Sequence, residues 1–374
     1  MLQEFPAYKR LPQMLEQARG NHFRGTDGSS FLDLYGGHCV NTLGAGDVSL
    51  GRVLLDQWQR CSFTTNLLDM PLRAQLLQAL EPGLPAGSWQ VFCSNSGAEA
   101  NENALKMALN ATGRQTIVAF AGAFHGRTAG ASAVTDEATP AWPSTPFDVR
   151  RLPWGSTDGI DASVAAVLLE PIQSLAGVVM PPPDFLKDLR AQCDRHGALL
   201  LFDEVQTGNG RLGTMWASQY FDVIPDGFTT AKGAAAGFPL GLTFITNSVA
   251  QQLPEGLCGS TFGGGPLAMS AAIEVQRRLA APHFLAHVQA LGKQLQQAVG
   301  KGPVIAVRGA GLLLGMEIEA GRSAREVRDA LLNHGILTGL CNHPQILRLS
   351  PALTLASADV QQLLWALQNL EVGV

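Results

Sequence analysis

The sequence predicts an α/β protein with a mostly parallel central sheet flanked by helices, joined to a smaller α+β C-terminal domain. Three observations predict it. Strand-like and helix-like patterns alternate through the middle of the chain. One apolar run, Ala198 to Phe202, ends abruptly in the acids Asp203 and Glu204. After about Phe244 the pattern changes to long helices with short strands between them. Alternation of this kind favours parallel strands with helices on both faces and right-handed crossovers. An uninterrupted apolar run is how a strand buried on both faces reads. At 374 residues, 46% hydrophobic and 15% charged, the chain can fill one large core and a second smaller one.

The elements follow in order. Turn residues around Asp27 and Gly28, then a short strand from Phe31 to Leu34, read as a hairpin-like entry. Val48 to Cys61 is helical, with Leu50, Leu54, Leu55 and Trp58 on one face. Pro71 to Leu80 is a second helix with proline at its start. Trp89 to Cys93 is a strand, followed by SNSGAEANENALKMALNATG, which opens a helix. Thr116 to Phe120 and Val164 to Leu169 are strands, the second ending in Glu170-Pro171. The helix Asp184 to His196 leads into the strand that ends at Asp203. A short strand, Gly227 to Thr230, delivers Lys232. Beyond it come the helices Leu267–Leu279 and Phe284–Val299. The strands Val304–Arg308, Leu312–Glu317 and Ile346–Leu349 then alternate with the helices Ser323–His334 and Ser357–Leu370. We expect an N-terminal segment, 1–45, packing on the small domain, a large domain over 46–250 and the small domain over 251–374.

Composition excludes several functions. The net charge of −5 disfavours nucleic acid and an anionic membrane as partners. The six cysteines (39, 61, 93, 193, 258 and 341) include no CxxC pair, so neither a disulfide framework nor a metal site is expected. No apolar run spans a bilayer, and MLQEFPAYKRLP lacks the apolar core of a signal peptide. A cytoplasmic location is the expectation.

The candidate chemistry sits at strand ends, where open α/β sheets bind ligands. Asp203 closes one strand, and Lys232 follows another. A buried lysine can be a nucleophile because desolvation frees its amine. An aspartate and a lysine at neighbouring strand ends suit pyridoxal phosphate: the lysine forms the Schiff base, and the carboxylate keeps the ring nitrogen protonated. The same pair also suits a satisfied strand-end Asp and a snorkelling Lys. Ser94 to Ala98 lies between a strand and a helix start. Ser96 and the amides of Gly97 and Ala98 could hold a phosphate there, or only cap the helix. In Ala123 to Thr128, Phe124 could stack on a planar ring and Arg127 grip a carboxylate, or they could be a core Phe and a surface Arg. His125 reads as structural. Gly259 to Gly265 could complete a phosphate cup or be a turn. It is not a Walker loop, and no dinucleotide fingerprint occurs elsewhere. Arg348, on an otherwise apolar strand, needs a partner or a ligand.

The order SGAEANE (96–102), FHGRT (124–128), LEPIQ (169–173), LLFDEVQTGNGRLG (200–213), TTAKG (229–233), STFGG (260–264) and LRLSPAL (347–353) resembles the class III aminotransferases. These ω-amino-group enzymes use pyridoxal phosphate, and the resemblance is nearest to their acetylornithine and succinylornithine branch. It covers the chain from about Leu34 onward. It implies fold type I of the pyridoxal-phosphate transferases and a homodimer with shared sites. Lys232 resembles the Schiff-base lysine, and Asp203 the partner of the pyridine nitrogen. Val205 would pack on the ring face opposite Phe124, and Gln206 would reach the ring hydroxyl. Ser96, Gly97 and Ala98 would bind the phosphate, with Thr261 from the neighbouring subunit. Arg127 would take the α-carboxylate of the acylated ornithine, Ser260 would contact that substrate, and Arg348 would bind 2-oxoglutarate. The implied reaction moves the δ-amino group of N2-acetyl-L-ornithine to 2-oxoglutarate, as in arginine synthesis. N2-succinylornithine, ornithine, GABA and N-acetyl-lysine are the alternative donors.

Three departures from the family pattern stand out. Many relatives read EPIQGEGG, whose second Glu pairs with the acceptor-binding Arg; here Leu175 holds that place, as in a sub-branch linked to N-succinylornithine. Residues 43–49, Leu-Gly-Ala-Gly-Asp-Val-Ser, replace a GHxHP-like turn. Gly265 stands where Asn is common.

Overall fold

In the computed structural model, which describes residues 2–137 and 142–370, seven strands form the central sheet. Their order is Trp89–Ser94, Gly241–Thr246, Gly227–Thr230, Leu199–Asp203, Val164–Leu169, Thr116–Phe120 and Asp148–Leu152. Five of them run parallel in successive pairs. Gly241–Thr246 alone is antiparallel to both its neighbours.

Why the middle strands read as apolar runs is visible in the packing. Ile117, Ala119, Ala166, Leu168 and Leu201 face a core shared with the helix Gly97–Thr112. Val118, Phe120, Val167, Leu169, Leu200 and Phe202 face the opposite core, with Phe185 and Leu189 of the helix Phe185–His196. Alternate side chains point to opposite faces and both faces are covered, so every position must be apolar.

Two strands of the central sheet escape the sequence reading. Asp148–Leu152 is an edge strand, DVRRL, bonded only to Thr116–Phe120 and half exposed, so it carries no apolar run. Gly241–Thr246 straddles the point where the pattern changes. The helix expected over Phe284–Val299 ends at Leu295 and tightens into a 3-10 turn, Gln296–Ala298.

A second, antiparallel sheet joins Val304–Ala310, Leu313–Ile318, Ile346–Leu349 and Gly339–Leu340. The helices Phe284–Leu295, Ala324–Asn333 and Ser357–Gln368 accompany it. The N-terminal strands Leu15–Arg19, His22–Gly25 and Ser30–Asp33 form a third sheet, which Ile336–Leu337 joins in parallel.

The unusual 43–49 stretch acquires a role here. Asp47 caps the helix Val48–Arg60 by accepting from the Leu50 N–H at 2.9 Å, and it pairs with Arg278 at 3.2 Å. Gly44 and Ala45 lie against the N-terminal hairpin through the Gly20–Ala45 bridge. Gly265 is the cap residue of the helix Pro266–Leu279 and offers it no side chain.

Candidate active site

The strand Gly227–Thr230 turns back through residues 231–240 into Gly241–Thr246, and Lys232 lies at the start of that turn. Its φ is +38°, a left-handed backbone that a residue with a β-carbon adopts at a cost of about 1–3 kcal/mol. The turn is pinned from outside: the Thr42 hydroxyl donates to the Gly233 carbonyl at 2.9 Å. Burial pushes the Lys232 ammonium below the ordinary lysine range. Arg348 acts the same way, while Cys39, Asp203 and Glu170 oppose it.

Asp203 ends the adjacent strand and is 4% exposed. Its carboxylate accepts from three N–H donors. Asn101 Nδ2 and His125 Nδ1 each lie 2.7 Å from Oδ2, and the Val205 amide lies 3.0 Å from Oδ1. A carboxylate only accepts, so His125 carries its proton on Nδ1. Asn101 is itself set by Thr229, which donates to its Oδ1, and it donates to the His125 carbonyl at 2.8 Å. Glu204, the other acid of the pair, faces away. Burial pushes it up to about 7, against the Ala217 and Ser218 amides and the Thr207 hydroxyl that donate to it.

Both residues open into one cavity of about 270 Å³. Ser96, Gly97 and Ala98 form one wall, at the N-terminus of the helix Gly97–Thr112. The Ser96 hydroxyl caps that helix by accepting from the Glu99 amide at 3.2 Å. A β-carbon at position 97 would come within 3.0 Å of the Val205 methyls, so glycine lets the helix start close on that wall. Phe124, Val205 and Gln206 also line the cavity. Phe124 is held by its own amide, which donates to Glu170 Oε1 at 3.0 Å. Burial raises the Glu170 carboxyl, and His125 opposes this.

Eight of the residues expected at the site therefore share one cavity. The other four do not line it. Arg127 is exposed, with its guanidinium 5.0 Å from the centre of the Phe124 ring. Ser260 touches the cavity wall indirectly: its hydroxyl accepts from Asn95 at 3.1 Å. Thr261 is exposed. Arg348 is 1% exposed and lies behind Gln206, 3.4 Å from its Oε1.

Sequence reasoning missed how Arg348 is held. Nη1 donates to the Ser174 hydroxyl at 2.9 Å, and that hydroxyl donates onward to Gln206 Oε1 at 3.0 Å. Nη2 donates to the Tyr35 hydroxyl at 2.9 Å. Asn101 and the Asp203 contact of His125 were missed as well. The FHGRT motif brought His125 into view, but nothing local marks Tyr35, Ser174 or Asn101.

The family model for class III aminotransferases matches residues 6–370. The chain is 37% identical to the acetylornithine aminotransferase of Mycolicibacterium smegmatis over 96% of its length and 94% of that protein. Identity to the acetylornithine aminotransferase of Mycobacterium tuberculosis is 38%, over 96% of this chain and 92% of that one. Among solved structures, N-acetylornithine aminotransferase from Stenotrophomonas maltophilia superposes with a TM-score of 0.84 at 31% identity, over 97% and 96% of the two chains. Ornithine aminotransferase from Toxoplasma gondii, at 24% identity and a TM-score of 0.89, shares the fold over 97% of this chain and 91% of its own.

Proposed function

This chain belongs to the class III aminotransferase family, and from that premise we propose that it transfers the δ-amino group of N2-acetyl-L-ornithine to 2-oxoglutarate with pyridoxal phosphate. The products are N-acetyl-L-glutamate 5-semialdehyde and L-glutamate. One observation carries the reading. A buried amine of lowered proton affinity and a carboxylate pinned by three donors open into the same cavity. The relatives named above support the donor.

The residues fit the cofactor. The glycine-narrowed wall between Gly97 and Val205, with Phe124 also lining the cavity, suits a flat ring. Ser96 and the free amides of Gly97 and Ala98 suit its phosphate. Gln206 faces the cavity and would meet the ring hydroxyl. When bound, the cofactor would supply an aldehyde for the amine and an electron-withdrawing ring. Asp203 would favour a protonated ring nitrogen, because a fixed buried anion favours a cation beside it. Lys232 Nζ takes the proton from the δ-carbon of the donor; its lowered proton affinity favours the free amine that a base requires. Arg127 orients the donor's α-carboxylate and Ser260 lines its approach. Arg348 receives a carboxylate of 2-oxoglutarate.

We assign the working form as a homodimer in which Thr261 serves the partner's phosphate site. Thr261 and Phe262 are exposed beside Phe63, whose ring lies 5.5 Å from that of Phe262. Trp58, Leu67 and Leu68 are exposed as well. Exposed aromatic side chains that cluster, as Phe63 and Phe262 do, suit an interaction surface. Among the described residues, no helix is long and apolar enough to cross a membrane. The cytoplasm is the proposed location.

A donor panel tests the reading: acetylornithine, succinylornithine, ornithine and GABA, each with 2-oxoglutarate. Acetylornithine is expected to give the highest kcat/KM, and preference for ornithine or GABA would refute the proposed substrate. Arg127→Ala should raise KM for the acyl-ornithine roughly tenfold to hundredfold, the loss of a charged hydrogen-bonded pair. It should affect 2-oxoglutarate far less; equal losses would sink that assignment. Succinylornithine is the second reading, favoured by Leu175 in the usual acidic place and by an Arg348 whose hydrogen-bond partners among the described residues are all neutral. Leu175→Glu is expected to change the order of donors in the panel. An unchanged order would make position 175 packing alone.

A further inference from the structure

Arg348 is nearly fully buried, yet its partners are two hydroxyls and an amide oxygen. Among the described residues no carboxylate pairs with it. A buried guanidinium ordinarily needs a compensating anion. Two donors here lack acceptors. Arg348 Nε is buried without a hydrogen-bond partner. The Tyr35 hydroxyl accepts from Nη2 and donates to no described residue. Nε and Nη2 share one edge of the guanidinium, and the Tyr35 hydroxyl is bound to Nη2, so the two idle donors are neighbours. Ser174 differs: it accepts from Nη1 and donates to Gln206, and both its capacities are used.

The Tyr35 side chain is built into this position. Its ring lies under the guanidinium, 5.2 Å from Arg348 Cζ. Gly339, paired with Arg348 across the small sheet, leaves room for the ring: a β-carbon there would collide with it. The segment after Tyr35 is wound left-handed, with φ of +58°, +57°, +63° and +69° from Gly36 to Cys39. Asp33 fixes its start by accepting from the amides of Tyr35 and Gly36 at 2.8 and 2.9 Å. Burial raises the Tyr35 hydroxyl above its ordinary range, more than Arg348 lowers it, so it is a neutral donor.

We propose that Tyr35 is a substrate-binding residue, and that its hydroxyl and Arg348 Nε together take the two oxygens of one carboxylate of the 2-oxo acid. Ser174 and Gln206 hold Nη1 at the other end of the guanidinium, so no ion pair has to break when the carboxylate arrives. This rests on Arg348 being the acceptor's anchor.

Glutarate, a dicarboxylate that cannot react, separates the two claims. Its binding to the cofactor-loaded enzyme is measured by calorimetry in the parent, Tyr35→Phe and Arg348→Ala. Tyr35→Phe keeps the ring and removes only the hydroxyl. It should weaken glutarate roughly tenfold, the loss of one charge-assisted hydrogen bond. In turnover it should raise KM for 2-oxoglutarate about as much, and KM for the amino donor much less. Binding within twofold of the parent in Tyr35→Phe, with binding lost in Arg348→Ala, would overturn the role of Tyr35 and leave the acceptor site in place. Undiminished binding in Arg348→Ala would overturn the acceptor assignment and the proposal with it.

Discussion

Lys232→Ala is expected to lower kcat by about 10⁴-fold or more, since the variant loses both the amine that ties the cofactor and the base that moves the proton. The fold should survive. The Thr42 bond that pins the turn reaches the Gly233 backbone, and alanine keeps the β-carbon that the left-handed position already tolerates. Two measurements check this. Single-turnover assays read the loss. Borohydride reduction of the parent followed by mass spectrometry should put the cofactor on the peptide containing position 232, and give no adduct in the variant. Turnover within tenfold of the parent would end the assignment.

Asp203→Asn should lower kcat by about 10²–10³-fold, the scale for removing one preorganised charge from a site. It should also cost about 1–3 kcal/mol of stability, because all three partners of the carboxylate are donors. An asparagine must turn its NH₂ toward one of them. Paired kcat and thermal-melt measurements separate the effects: the rate loss should persist at temperatures where the variant is fully folded. A folded variant with kcat within tenfold of the parent would show that the charge at 203 is not used.

Much of this was legible in the chain for a physical reason. Leu199–Asp203 and Val164–Leu169 are buried on two faces, and such strands announce themselves as unbroken apolar runs. Lys232 and Asp203 were visible as charges at strand ends, and only the ordered set of motifs around them tipped the reading away from a satisfied Asp and a snorkelling Lys. Asp148–Leu152 was invisible because an edge strand needs no apolar run. The cradle of Arg348 was hidden for another reason. Tyr35, Ser174, Gln206 and Arg348 come from separate parts of the chain, and only the packing of the small sheet against the large one makes them neighbours. Asn101 likewise meets Asp203 from a helix whose sequence shows only a favourable start.

The vacancy that Gly339 leaves for the aromatic ring of Tyr35 carries an evolutionary consequence. The two positions are remote in the gene yet can drift only in concert. A descendant that gains any side chain at 339 must first surrender the ring at 35, whereas one that has already traded the ring for a small residue is free to vary at 339. Among homologues the pair should therefore covary, with glycine at 339 tracking the aromatic at 35 whatever happens to the residues around them.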